Sequence, residues 1–386
     1  MRRIISPAAF VQLWKFLAVI FLLSFMIVNS LWIVSNNGLR DFGSFVASGR
    51  AVARGLNPYN ANSPLVFQLS FPSLGLNSNF PNMNPPITLY LFELLADLDP
   101  YWALQGWRLF SIILYITALG LLIKAHPQLT NKYRVFWALS LGGFWHTLEL
   151  GQIYIPLLLA CVVSWLLISH KRYFLSGILI GFVIAIKPNF IIWPLFLLLV
   201  GNWTVGLFSF ITIGFLMIIP ILSFSPSIYS QWLEAVVNFS GLSFPANNSI
   251  IGLMVRFNLL WLGSLLSVIV FLIMAVWIWH NKFSELYTSA IAITLSLLIS
   301  PISWSGYTIF LLPIFFERKW GPLLRISSII LVVPVVFILG LFQLSFTNFI
   351  IFGWFYGWAL LLVLTALILE QVPLNLHKLI SNLFTA

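Results

Sequence analysis

The chain has 386 residues, 61% hydrophobic, 17% aromatic and only 7% charged, with a formal net charge of +10 at pH 7. So little charge excludes a water-soluble domain, and apolar runs of bilayer-spanning length recur from end to end. The single cysteine, Cys161, lies inside an apolar run, which excludes an intramolecular disulfide and a thiolate metal cluster. The predicted fold class is all-α, a polytopic transmembrane helical bundle, and with nothing resembling a linker, residues 1–386 read as a single membrane-embedded domain.

In chain order, MRRIISPAAFVQLWKF puts basic residues before a spanning run that has no small-residue cleavage site. It reads as a retained first helix, 16–34, and not as a cleaved signal peptide. A polar stretch, 35–100, follows as the first outer loop. It opens with RDFGSFVASGRAVARGLNPYN, four ionised side chains (Arg40, Asp41, Arg50, Arg54) within fifteen residues. Positions 43 to 54 read as a short helix with Arg50 and Arg54 on one face. Two guanidinium groups beside a lone carboxylate can hold a phosphate while a base works next to it. An amphipathic helix lying on anionic headgroups, its arginines snorkelling, fits the same residues. After a short surface helix at 87–98, spanning candidates fall at about 101–123, 135–149, 153–169, 173–187, 189–200, 204–222, 257–279, 286–301, 304–316, 326–342 and 350–370. Breaks at Gly151, Pro188 and Ser303 predict paired or discontinuous helices, and the total is about ten to twelve spans.

With the N-terminus on the cytoplasmic side, alternation places thirteen bases and three acids inside. The outer side then holds Arg40, Arg50, Arg54, Arg108, Lys187 and Arg256 against Asp41, Glu93, Asp97, Asp99, Glu149 and Glu234. The whole excess of +10 therefore sits on one face, as the positive-inside rule expects, and it carries no signal for nucleic acid. Arg108, Glu149, Lys187 and Arg256 lie near helix ends or just inside the membrane, where a charge is costly unless it faces a polar cavity or a partner. Lys187 ends an apolar run and precedes Pro188, which suits a functional cation better than a snorkelling anchor. Asp97 and Asp99 can bind a divalent ion, but capping the next helix is the simpler role, and no metal site is predicted.

Four further segments share the level of the Asp41 loop. TLELGQIY (147–154) carries Glu149, Gln152 and Tyr154, with His146 one turn before Glu149. IKPN (186–189) supplies Lys187 and Asn189. ANNSIIGLMVRF (246–257) carries Asn248, Ser249 and Arg256, and SPISWSGY (300–307) carries Ser303, Trp304 and Tyr307. With Asn57 and Tyr59 these form a candidate substrate pocket rich in cations and poor in acids. Arg50, Arg54, Lys187 and Arg256 can share a donor phosphate's charge and stabilise it as a leaving group. Asp41 is the carboxylate placed to deprotonate an attacking hydroxyl, and one carboxylate suits an inverting transfer. No nucleotide-binding element is present, so the sugar donor is lipid-linked by this reading.

The segments DF…A…A…G.NPY, Pro85-Pro86-Ile87-Thr88-Leu89, LGQ (150–152), G…G…IKP (177–188), NNS…R (247–256) and SPISW (300–304) occur in order. They resemble glycosyltransferase family 87, polytopic mannosyltransferases of the GT-C superfamily that use polyprenyl-phosphate sugars. The resemblance implies a GT-C-like fold, Asp41 as general base, and Lys187 and Arg256 at the donor phosphate. The chain departs from the family pattern at Tyr154, where an asparagine is expected, and at Gly306 and Tyr307, where histidines are frequent. The expected activity is transfer of a hexose, mannose by the resemblance, from a polyprenyl phosphate to an acceptor hydroxyl on a lipid or glycan. The site would face the outer side of the plasma membrane, with membrane lipid as a partner and no cofactor. A transporter or flippase of lipid-linked sugars, doing no chemistry, is the alternative from another class; it would tend to show two similar halves, and none is detected. A ligase of lipid-linked glycans would need a larger outer loop than 223–250.

Overall fold

The computed structural model describes residues 7–35, 38–59, 69–71, 76–78, 82–342 and 352–371. Of the bases counted in the charge argument, Arg2, Arg3 and Lys378 lie outside the described residues. The architecture is helical throughout, apart from a small antiparallel ribbon of β1 (Leu69–Phe71) and β2 (Leu76–Ser78). Among the described residues, four helices are long and apolar enough to cross a bilayer: α1 (Pro7–Ser35, through its stretch Leu17–Val34), α4 (Pro100–Ala125), α10 (Trp203–Ser223) and α13 (Leu260–Asn281). A further pair, Pro322–Val332 with Val335–Leu341, is bent by 82° and has the length and composition of a fifth, broken span or of a re-entrant loop. The bend falls at Pro334, whose missing N–H breaks the helical ladder. Six shorter apolar helices, of 10–17 residues, complete the bundle. Against an expected ten to twelve spans, four or five described helices are long and apolar enough to cross, and the six shorter ones are not.

Each break foreseen in the sequence is a helix boundary. Gly151 ends α6 (Gly142–Leu150) in the left-handed conformation, φ 65°, and α7 (Tyr154–Ser169) starts three residues later. Pro188 separates α8 (Tyr173–Ile186) from α9 (Ile192–Leu199) by one 3₁₀ turn. Ser303 lies between α14 (Glu285–Ile299) and the 3₁₀ turn Ser305–Leu311. The single candidate 135–149 is in fact two helices, α5 (Lys132–Leu139) and α6, and α13 starts three residues later than expected because a separate short helix, α12 (Ile250–Val255), precedes it.

Close backbone approach fixes the bundle around α8. Gly177 and Gly181 stand one turn apart against α10, and a Cβ on Gly181 would lie 2.5 Å from the Ser209 carbonyl oxygen. Ser209 Oγ donates to the Gly177 carbonyl at 3.0 Å. Small residues four apart let two apolar helices pack where lipid offers no hydrophobic drive for association.

The loop helix α2 (Arg40–Ala53) begins three residues earlier than its sequence suggested. It does not lie on a lipid surface. Phe42, Phe45, Val46 and Ala47 are buried, the Phe45 and Phe92 rings stack at 4.9 Å, and Gly49 packs so tightly that a Cβ there would meet the Phe92 carbonyl of α3 (Leu89–Glu93). The predicted surface helix at 87–98 is this α3, preceded by a 3₁₀ turn at Pro86–Thr88 and followed by turns. Asp99 then caps α4, accepting from the Tyr101 and Trp102 amides at 3.0 and 3.1 Å, as expected of an N-cap.

Candidate active site

The left-handed turn at Gly151 delivers Gln152 to Asp41. A glycine is required there on two counts: the positive φ, and the absence of room, since a Cβ would sit 2.7 Å from Phe42 Cβ and 2.8 Å from Leu104 Cδ1. With α6 wedged against the residue next to Asp41, the Gln152 amide donates to the Asp41 carboxylate. Asp41 lies in the first turn of α2, where the helix dipole favours a negative charge. Its carboxylate is half-buried, and desolvation raises its pKa from 3.8 to about 6, against the lowering effects of the Gln152 hydrogen bond and the charges of Lys187 and Arg40. That value suits a base that must be ionised near neutrality yet able to hold a proton.

Lys187 stands at the end of α8, where Pro188 stops the helix. Its ammonium donates to Asn84 Oδ1 at 2.7 Å and lies over the rings of Tyr154 and Tyr307, 5.0 and 5.7 Å from their centroids. Behind Asp41 a second charged group closes the site. Arg40 reaches Glu149 at 3.7 Å, Trp32 of α1 donates to the same Glu149 oxygen at 2.8 Å, and Arg108 donates to the Leu148 and Glu149 carbonyls. Glu149 is therefore neutralised by the protein, and Arg108 braces the end of α6, so neither is an anchor in the lipid headgroups.

Of the sequence-predicted residues, Asp41, Gln152, Lys187, Tyr154 and Tyr307 come together. Tyr154 and Tyr307 are buried, and their faces serve Lys187, so they offer no stacking surface for a sugar. Arg50 and Arg54 do not join them. Arg50 donates to the Ala96 and Leu98 carbonyls at 2.8 and 3.0 Å, and Arg54 is exposed beyond the end of α2. Arg256 donates to the carbonyls of Ser243, Phe244 and Asn247, fastening the loop before α12. That loop is stapled in turn to the 300–304 segment: the Asn248 amide donates to the Ser303 carbonyl at 2.7 Å, and Asn247 pairs with Trp304 in an isolated bridge. Ser249 caps α12 through the Gly252 amide, and Asn189 donates to the Ile302 carbonyl. Asn57 accepts from the Tyr59 amide, and the Tyr59 hydroxyl donates to the Asn84 carbonyl. Asn248, Ser249, Ser303 and Tyr59 are thus wall and fastening, while Trp304 and Asn189 keep partly open side chains.

Sequence reasoning missed Arg40 and Asn84. Arg40 stood among the four loop charges but was passed over for the spaced pair Arg50 and Arg54. Asn84 immediately precedes the Pro85-Pro86 motif, and an amide in that otherwise apolar turn was the available signal.

The fold and site define a polytopic membrane protein with a half-buried carboxylate, Asp41, in the field of the buried Lys187 and Arg40 cations. The chain belongs to glycosyltransferase family 87, whose model matches residues 82–301. It is accordingly a membrane glycosyltransferase. The match takes in Asn84, Gln152 and Lys187, while Asp41 lies before it. Comparison with curated proteins and with solved structures finds no match.

Proposed function

We propose that the protein transfers a hexose, mannose by family resemblance, from a polyprenyl-phosphate donor to an acceptor hydroxyl, with inversion, on the outer side of the plasma membrane. Asp41 removes the acceptor's proton as the oxygen attacks the anomeric carbon from the face opposite the phosphate. The bond to the phosphate oxygen breaks, and Lys187 stabilises the negative charge left on the departing polyprenyl phosphate. Gln152 holds the carboxylate in the orientation that takes up the acceptor's proton. The acceptor is a lipid- or glycan-borne hydroxyl that approaches the open edge of Asp41.

The observation that carries this reading is that the Asp41 carboxylate lies in the field of the Lys187 ammonium. A base raised to about 6 by burial sits within the field of an ammonium that no protein carboxylate contacts among the described residues. Glu149, the other acid nearby, is taken up by Arg40 and Trp32, which leaves one free carboxylate and favours inversion over a two-carboxylate retaining route. The test is transfer of labelled mannose from polyprenyl-phosphate mannose to membrane lipid by the purified protein in nanodiscs. Asp41→Asn should reduce the rate by at least about a hundredfold, the usual contribution of a positioned base. Full activity in a folded Asp41→Asn protein would overturn the assignment.

A further inference from the structure

Among the described residues the side chains in contact with the Lys187 ammonium are uncharged, Asp41 acting on it only through its field, and the hydrogen-bonded one is locked. Asn84 and Asn82 are both buried. Asn82 Oδ1 accepts from the Asn84 backbone amide at 2.9 Å and from Asn84 Nδ2 at 3.0 Å. That double contact settles which end of the Asn84 amide is which, and turns its oxygen toward Lys187. The backbone of the turn is pinned on either side: Trp232 of α11 (Ser227–Val237) donates to the Met83 carbonyl at 3.0 Å, and Tyr59 donates to the Asn84 carbonyl at 2.9 Å. Asn84 is thus an acceptor held within its own turn by Asn82, the turn itself being pinned by two other segments of chain.

The charge balance gives this arrangement a purpose. Burying an ammonium costs several kcal/mol, and proteins usually repay it with a contacting carboxylate. Here a neutral oxygen and two ring faces support the cation, each weaker than an ion pair. An ammonium has three donors, and Asn84 takes one of them. A carboxylate at position 84 would hold Lys187 as well or better, but it would cancel the charge.

We infer that Asn84 is a positioning residue for the transfer: it fixes the Lys187 ammonium between the Tyr154 and Tyr307 rings without neutralising it, so that the anionic phosphate of the donor is its counter-ion. The inference rests on the reading of Lys187 as the donor-phosphate ligand. It adds that the neutrality of residue 84, and not merely its size, sets donor affinity.

Asn84→Asp is nearly isosteric and separates the two. Kinetics of mannose transfer in nanodiscs, with a sugar-free polyprenyl phosphate as the binding probe in a melting assay, give the readouts. Asn84→Asp should raise the KM for the donor about tenfold, change kcat far less, and abolish the rise in Tm that polyprenyl phosphate gives the native protein. Lys187→Met should lose the same Tm rise. If Asn84→Asp keeps the native KM and Tm response while Lys187→Met loses them, Asn84 has no such role. If Lys187→Met keeps them too, the reading of Lys187 itself falls and takes this one with it. Should Asn84→Asp fail to fold, Asn82→Ala releases the amide without adding charge. It must raise KM in the same direction, by less, and an unchanged KM would overturn the inference.

Discussion

Gln152 and Asp41 are 111 residues apart in sequence, and the amide of one donates directly to the carboxylate of the other. An amide in contact with a base sets its orientation and lowers its proton affinity, and replacing that amide by a carboxylate reverses both effects. In Gln152→Glu the two acids would share a proton, and the second ionisation of the pair would move upward. The acid limb of the rate against pH, near 6 for the native protein if Asp41 is the base, should shift up by about one unit or more, with activity at neutral pH falling accordingly. A pH–rate series on the two proteins checks this.

The same raised pKa has a consequence for stability. Asp41 binds its proton more tightly in the folded protein than the ordinary value of 3.8 allows in the unfolded chain. Its contribution to stability is full below about 3.8 and is lost as the pH rises through about 6. Asp41→Asn, which cannot ionise, should therefore melt above the native protein in detergent at neutral pH, by the equivalent of about 1–2 kcal/mol once partial exposure is discounted. The gain should vanish below about pH 4. A variant that loses activity while gaining stability marks a functional cost at that position.

Two glycines with nearly the same backbone angle separate strain from crowding. Gly55 has φ 66° and open space around it, whereas Gly151 has φ 65° with Phe42 and Leu104 within 2.8 Å of a built Cβ. Gly55→Ala should cost about 1–2 kcal/mol, the left-handed penalty alone. Gly151→Ala should cost about 1–3 kcal/mol more from overpacking, and should depress transfer by moving Gln152 from Asp41. Thermal melts and turnover of the two variants, side by side, provide the comparison.

Tyr154 and Gly306, far apart in sequence, meet in space. A Cβ at 306 would lie 2.8 Å from the Tyr154 ring and from Thr147 Oγ1, and the Tyr154 and Tyr307 rings are 4.5 Å apart. The tyrosine occupies the room that a side chain at 306 would need. Gly306→Ala should destabilise the protein, and Tyr154→Ala in the same molecule should cost less than the two singles together. The expected coupling is about 0.5–3 kcal/mol in a double-mutant cycle of thermal stability.

Arg50 tests the division between site and scaffold. Its guanidinium closes the turns after α3, on the Ala96 and Leu98 carbonyls. Arg50→Ala should lower Tm and leave the donor KM within about twofold of native, in contrast to Lys187→Met. A donor KM raised as strongly as in Lys187→Met would return Arg50 to the phosphate site.

Much of this was legible in one dimension because membranes impose strict local rules. Long apolar runs read as helices since, short of a closed barrel, only a helix satisfies its own backbone hydrogen bonds in lipid, and the breaks at Gly151, Pro188 and Ser303 follow from the glycine, from Pro188 and from Pro301 just before Ser303. Scarcity did the rest: with 7% charge, a lone Asp41 and an intramembrane Lys187 stand out without any fold. What sequence could not say is which cations are spent on the protein itself. Arg50, Arg256 and Lys187 look alike as letters. Whether a guanidinium meets a phosphate or three carbonyls depends on where distant turns bring their unpaired C=O groups, and only the packed bundle decides that.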